Sequence, residues 1–174
     1  QYVISPSMDQ SVRQSYDALM VQLERFNKSG ELCKKSGMMF GYHNHDFEFS
    51  EKHGDRTLYD IIMTETDPNL VMQQLDTGNL YNGGAKAIDI VTKYPGRFQS
   101  MHVKDEIELP EAGEHGKFES TILGKGIVNL KEVVDLGRDS GGTIHFIIEQ
   151  ESYQGKTPLE CMKEDYEVMK SWGY

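Results

Sequence analysis

Cysteine is scarce in this chain: Cys33 and Cys161 sit apart, each within a helical pattern, with no CxxC pairing. That excludes a disulfide framework and points to packing thiols in a reducing, cytoplasmic setting. No apolar run approaches the ~18 residues that cross a bilayer, so no membrane partner is expected. Positive charge is also short. Against 28 Asp and Glu the chain has 18 Lys and Arg, a net charge of -10. Binding to a phosphate backbone runs on clustered basic side chains, so a nucleic-acid partner is excluded, and strongly anionic substrates are disfavoured. The opening Gln1-Tyr2-Val3-Ile4 has no initiator Met, no basic leader and no apolar leader core. The expectation is that sequence upstream has been removed or lies outside this chain, so a signal peptide is not assessable.

What remains is a regular alternation of periods. Tyr2-Val3-Ile4-Ser5 is β-prone and stopped by Pro6. Val12, Tyr16, Leu19, Leu23 and Phe26 recur at helical spacing; Gly30 weakens that pattern and Gly37 ends it. A strand follows over 38–45, with Asp46-Phe47-Glu48-Phe49 as a loop or strand extension. Thr57 and Asp60 open a short helix that Asp67-Pro68-Asn69 breaks. Leu70 to Asp76 reads as a strand, Lys86 to Tyr94 as a helix, and Phe98 to Lys104 as a strand. Residues 105–128 form a connection rich in Glu and Gly, long enough for a lid or substrate loop. In it Glu106, Glu108, Glu111 and Glu114 read as a solvated acidic run, and Gly124-Lys125-Gly126 as a turn before a helix rather than a phosphate cradle. Asn129 starts the next helix, Thr143 to Glu149 is the last strand, and Thr157-Pro158-Leu159-Glu160 caps a helix with Leu159, Met162, Tyr166 and Met169 as its buried stripe.

Five strands alternating with five helices predict an α/β fold with a parallel sheet. A closed (β/α)8 TIM barrel takes about 250 residues. The chain is therefore expected to be one domain, 1–174, covering roughly strands 4–8, with about three N-terminal units missing.

The strand ends carry the chemistry. Alternate residues share a face, which groups Met39, Gly41, His43 and His45; Met72, Gln74 and Asp76; Ser100, His102 and Lys104; and His145, Ile147, Glu149 and Glu151. Four strands that each end on His, Asp or Glu at one rim make a mononuclear metal site from His43, Asp76, His102 and Glu149. This donor set suits Mn²⁺, Mg²⁺, Co²⁺ or Zn²⁺. Glu149, His45 and Lys104 are the expected catalytic groups: Glu149 as ligand and base, His45 as a second acid or base, Lys104 as partner to an oxyanion. Asn79, Glu48 and Glu151, just beyond the strand ends, are the expected substrate contacts. His145, four residues before Glu149, reads as packing.

The motifs Gly41-Tyr42-His43-Asn44-His45, Leu75-Asp76-Thr77-Gly78-Asn79, His102-Val103-Lys104-Asp105, Leu123-Gly124-Lys125-Gly126 and Ile148-Glu149 together resemble the xylose-isomerase-like TIM-barrel superfamily, the sugar phosphate isomerase/epimerase group. The resemblance spans nearly the whole chain and matches the family's strands five to eight. It implies a divalent ion held by Asp76, His102 and Glu149, with a fourth acidic ligand where this sequence instead has His43. It further implies a sugar or keto-polyol substrate and proton abstraction beside a carbonyl to give an enediolate. Isomerase or epimerase is the nominal class. The histidine-rich strand is shared with inosose-dehydratase-like members and shifts weight toward a dehydratase or lyase. A non-catalytic sugar-binding barrel is the alternative of another class, and a homo-oligomer is compatible with either.

Overall fold

A computed structural model describes residues 1–113 and 116–174. Among the described residues, five strands form one parallel sheet in the order β1 (Tyr2–Ser5), β2 (Met39–His43), β3 (Val71–Asp76), β4 (Ser100–Val103) and β7 (His145–Ile148). An antiparallel hairpin, β5 (Asp105–Gly113) and β6 (Gly116–Thr121), interrupts this series. Between the sheet strands run helices α1 (Tyr16–Lys35), α2 (Leu58–Glu65), α3 (Ala87–Lys93) and α4 (Leu130–Leu136); α5 (Pro158–Ser171) follows β7. No described helix is long and apolar enough to cross a membrane.

The two-residue period divides the sheet's faces as expected. Phe40, Tyr42, Val71, Leu75, Met101 and Val103 are buried on the helix-covered side. The other side is concave: Tyr2 of the first strand and His145 of the last meet edge-on, ring centres 5.2 Å apart, with Tyr2 Oη 3.1 Å from His145 Nε2. The sheet is therefore curled. His145 makes this contact but stays exposed rather than packed in a core. In-register pairing of Asp76 with His102, and of His43 with Gln74, sets the ligand-type side chains at one end of neighbouring strands.

Helix α1 begins later than its apolar pattern, because the Ser15 hydroxyl accepts from Ala18 N–H; Val12 lies within a separate turn, Gln10–Arg13, and Tyr16 is exposed. Its buried face is Leu19, Leu23, Phe26, Gly30 and Cys33. Helix α5 carries the capping box foreseen at Thr157 and Glu160, but its face is rotated: Cys161, Asp165 and Met169 are buried while Leu159 and Tyr166 are exposed. The cause is polar. Asp165 turns inward to accept Leu123 N–H at 2.9 Å.

Two segments differ from expectation. Phe47–Ser50 is a helical turn, not a strand extension, closed by bonds from Phe49 and Ser50 N–H to the Asp46 carbonyl. In place of an open loop, Asp105–Gly113 and Gly116–Thr121 pair as the strands β5 and β6, with Glu114 lying outside the described residues. The following glycine turn is filled from within: the Asp105 carboxylate accepts N–H bonds from Glu106, Gly124, Gly126 and Val128 at 2.8–3.2 Å. Those amides are already bonded, so the turn is structural.

Gly30 brings α1 close against Leu70, the residue before β3. A Cβ there would approach Leu70 C and Cβ to 2.8 Å, well inside van der Waals contact. Alanine in a free helix gains about 0.5–1 kcal/mol over glycine, whereas overpacking costs about 1–3 kcal/mol. Gly30→Ala is therefore expected to lower the urea midpoint; an unchanged or raised midpoint contradicts this packing.

Candidate active site

Each ligand-type side chain is placed by the strand that ends at it. Asp76 closes β3, where Asn44 grips its backbone: Asn44 Oδ1 accepts Asp76 N–H at 3.0 Å and Nδ2 donates to the Asp76 carbonyl at 3.3 Å. The loop then folds back, and Asp76 Oδ1 accepts from Gly78 and Asn79 N–H at 2.9 and 2.8 Å. This leaves Oδ2 fully buried with no hydrogen-bond partner among the described residues. His43 Nδ1 is in the same condition. One donor atom each from His43, Asp76 and His102 lies within 4.8 Å of the others. Orphaned, converging donors of this kind fit a divalent cation, because an unpaired buried acceptor is otherwise costly. Glu149 stands beside them, with Oε2 against His102 Nδ1.

The same rim buries an ammonium. Lys104 is 2 % exposed, and its Nζ donates to Asn79 Oδ1 at 2.8 Å and to Glu151, with Glu149 Oε1 at 3.5 Å and Asp76 Oδ2 at 3.9 Å. Burial on its own lowers the Lys104 pKa, but the surrounding carboxylates outweigh it and the net shift is upward. Burial pushes Asp76 up to about 6 despite Lys104, while the hydrogen bond to His102 draws Glu149 down to about 2. Burial, aided by the neighbouring imidazoles of His102 and His45, lowers His43 to about 4.

Above this floor opens a cavity of about 740 Å³ lined by His43, His45, Asn79, Lys104, Glu106, Glu149 and Glu151, and on its other side by Leu109, Phe118 and Ser120 of the hairpin. His45 stacks on Phe47 at 5.6 Å, and the Arg13 guanidinium lies over the Phe47 ring at 3.9 Å. Its ring is thereby oriented, and Nδ1 keeps no hydrogen-bond partner among the described residues. The hairpin is docked from the rear, where Ser120 Oγ accepts from Glu151 and Ser152 N–H at 2.7 and 2.8 Å.

Of the residues read from the sequence, His43, His45, Asn79, Lys104, Glu149 and Glu151 face one cavity, with Asp76 and His102 joined to it through Lys104 and Glu149. Glu48 is elsewhere. It is fully buried behind the His45 turn, accepting His45 N–H at 2.8 Å and bonded to the Tyr42 hydroxyl on the helix-covered side of the sheet. Burial holds it near 7. Two residues carry more than their pattern indicated. Asn44, between the two histidines, ties two strand ends together. Glu106, read as part of a solvated run, is 3 % exposed and lines the cavity. Its signal was present: Ser100, His102, Lys104 and Glu106 continue one two-residue period past the point where the strand was ended.

The Xylose isomerase-like TIM barrel family model matches residues 1–172. An inosose dehydratase from Lacticaseibacillus casei is 29% identical over 160 residues, covering 83% of this chain and 50% of that protein. Another from Clostridium perfringens (strain 13 / Type A) is 26% identical over 140 residues, covering 74% of this chain and 46% of that one. The chain thus spans about half the length of the curated relatives it matches. Among solved structures, a sugar phosphate isomerase/epimerase from Parabacteroides distasonis superposes with a TM-score of 0.75 at 24% identity, over 97% of this chain and 58% of that one. That likeness establishes the fold. With the family match across almost every residue and ligand-type side chains collected at one rim of a curled parallel sheet, the chain belongs to the xylose isomerase-like TIM-barrel family.

Proposed function

We propose that this chain forms the metal-binding half of a dehydratase for a keto-polyol, and that its sheet strands correspond to strands 4–8 of the barrel. The observation that carries the reading is the convergence of His43, Asp76 and His102 beside a buried ammonium at the floor of a polar cavity. Similarity to inosose dehydratases over 74–83% of the chain favours dehydration over isomerisation. So does His43, an imidazole where the resemblance calls for an acidic ligand.

The ion, held by His43, Asp76 and His102 with Glu149 as a further carboxylate, would supply Lewis-acid charge beside the substrate's carbonyl oxygen. Lys104 faces the same space and steadies negative charge developing on that oxygen. Glu149 is committed to His102, which makes it a poor base. His45 instead lines the cavity with its ring bonded to no carboxylate among the described residues, and it takes the proton from the carbon next to the carbonyl. Asn79 and Glu151 hold Lys104 and present the remaining polar atoms to substrate hydroxyls. The resulting enediolate loses its β-hydroxyl as water. Return of the proton without that loss is the isomerase or epimerase outcome, and a cavity that binds sugar without turnover is the non-catalytic one.

Asp76→Ala and His102→Ala are each expected to strip Mn²⁺ from protein dialysed after loading, read by elemental analysis; full retention in both rejects the ligand set. Incubation of an inosose with the wild-type protein in D₂O, followed by NMR, should show loss of water, with deuterium beside the carbonyl only in the substrate that has not yet eliminated. Exchange without loss of water selects the isomerase reading, and neither change selects the non-catalytic one. His45→Gln should slow exchange and water loss together by about 10²–10⁴-fold with metal content kept.

A further inference from the structure

The reaction above removes one proton from carbon and must place another on a departing hydroxide, and no group named so far supplies it. Lys104 is held by four partners, His45 is the acceptor, and Glu149 is tied to His102. Glu106 has no such commitment. It is 3 % exposed, its Oε2 has no hydrogen-bond partner among the described residues, and it lines the same cavity as His45.

Its position is built rather than incidental. The Glu106 N–H donates to the Asp105 carboxylate at 3.0 Å, and the Glu106 carbonyl accepts Ile127 N–H at 2.8 Å, so the backbone is clamped on both sides. On the side-chain side, Gly78 makes room: a Cβ there would meet Lys104 Cγ at 2.8 Å and Glu106 Oε1 more closely still. The Asp76-Thr77-Gly78-Asn79 loop thus accommodates Glu106 as well as delivering Asp76.

We propose that Glu106 is the proton donor to the leaving hydroxyl of the substrate. As the electron pair of the enediolate forms the new C=C bond, the β-carbon–oxygen bond breaks, and the expelled oxygen takes the Glu106 proton and leaves as water. Glu106 is left as a carboxylate and His45 as an imidazolium, and both return to their starting states by exchange with solvent. Burial, outweighing the pull of the Lys104 ammonium, pushes Glu106 up to about 8 and so favours the protonated carboxyl.

The proposal rests on the dehydratase reading, and the test separates the two. In Mn²⁺-loaded Glu106→Gln protein, deuterium exchange beside the carbonyl should stay within a few-fold of wild type while water loss falls by about 10²–10⁴-fold. An analogue with fluoride in place of the departing hydroxyl leaves without needing a proton. Its fluoride release should be nearly unchanged in Glu106→Gln, which also shows that the variant is folded and loaded. If wild type exchanges deuterium but loses no water, the dehydratase reading falls and this assignment with it. If wild type dehydrates while Glu106→Gln keeps full water loss, or loses water release and fluoride release equally, the assignment of Glu106 alone is overturned.

Discussion

Charge imbalance at the strand ends is the constraint that orders this structure. Around the single buried ammonium of Lys104 stand Asp76, Glu106, Glu149 and Glu151, three of them drawn wholly or largely out of water. Withdrawing a charge from water costs roughly several kcal/mol per ion even after relaxation. One ammonium does not balance that many carboxylates. The remainder is met by protonation, which is the direction in which burial moves Asp76 and Glu106, or by a cation, for which the orphaned donors of His43 and Asp76 are arranged.

The fold serves this arrangement through register. Parallel strands that advance together put Asp76 beside His102, and the sheet that carries them is curled. The Asn44 side-chain amide then bonds the Asp76 backbone on the neighbouring strand, and the N–H groups of Gly78 and Asn79 bond Asp76 Oδ1, so Asp76 is fixed at both its main chain and its carboxylate. The β5–β6 hairpin completes the cavity from outside the sheet. It supplies an apolar wall, Leu109 and Phe118, opposite a charged floor.

Much of this was legible from the sequence because strand ends and their two-residue faces are local properties. His43, His45, Asp76, His102, Lys104 and Glu149 all lie on faces that counting by two identifies. The failures came where a polar residue does the work of a core residue. Asp165 turned α5 by bonding Leu123, hiding the helix's true face from an apolar pattern. Glu48 is a buried carboxylate satisfied by Tyr42 and a backbone amide, which sequence spacing alone does not distinguish from one facing a substrate. Glu106 continues the two-residue period of Ser100, His102 and Lys104, but so does the exposed Glu108, and the period does not show where burial stops.

The most direct test of the account is pulsed electron paramagnetic resonance of the Mn²⁺-loaded protein, which reads nitrogen nuclei bound to the ion. Two histidine nitrogens are predicted in the wild-type protein, with one of them lost in His43→Ala. A bound ion with no nitrogen coupling, or one whose couplings are unchanged in His43→Ala, contradicts a site built from these strand ends.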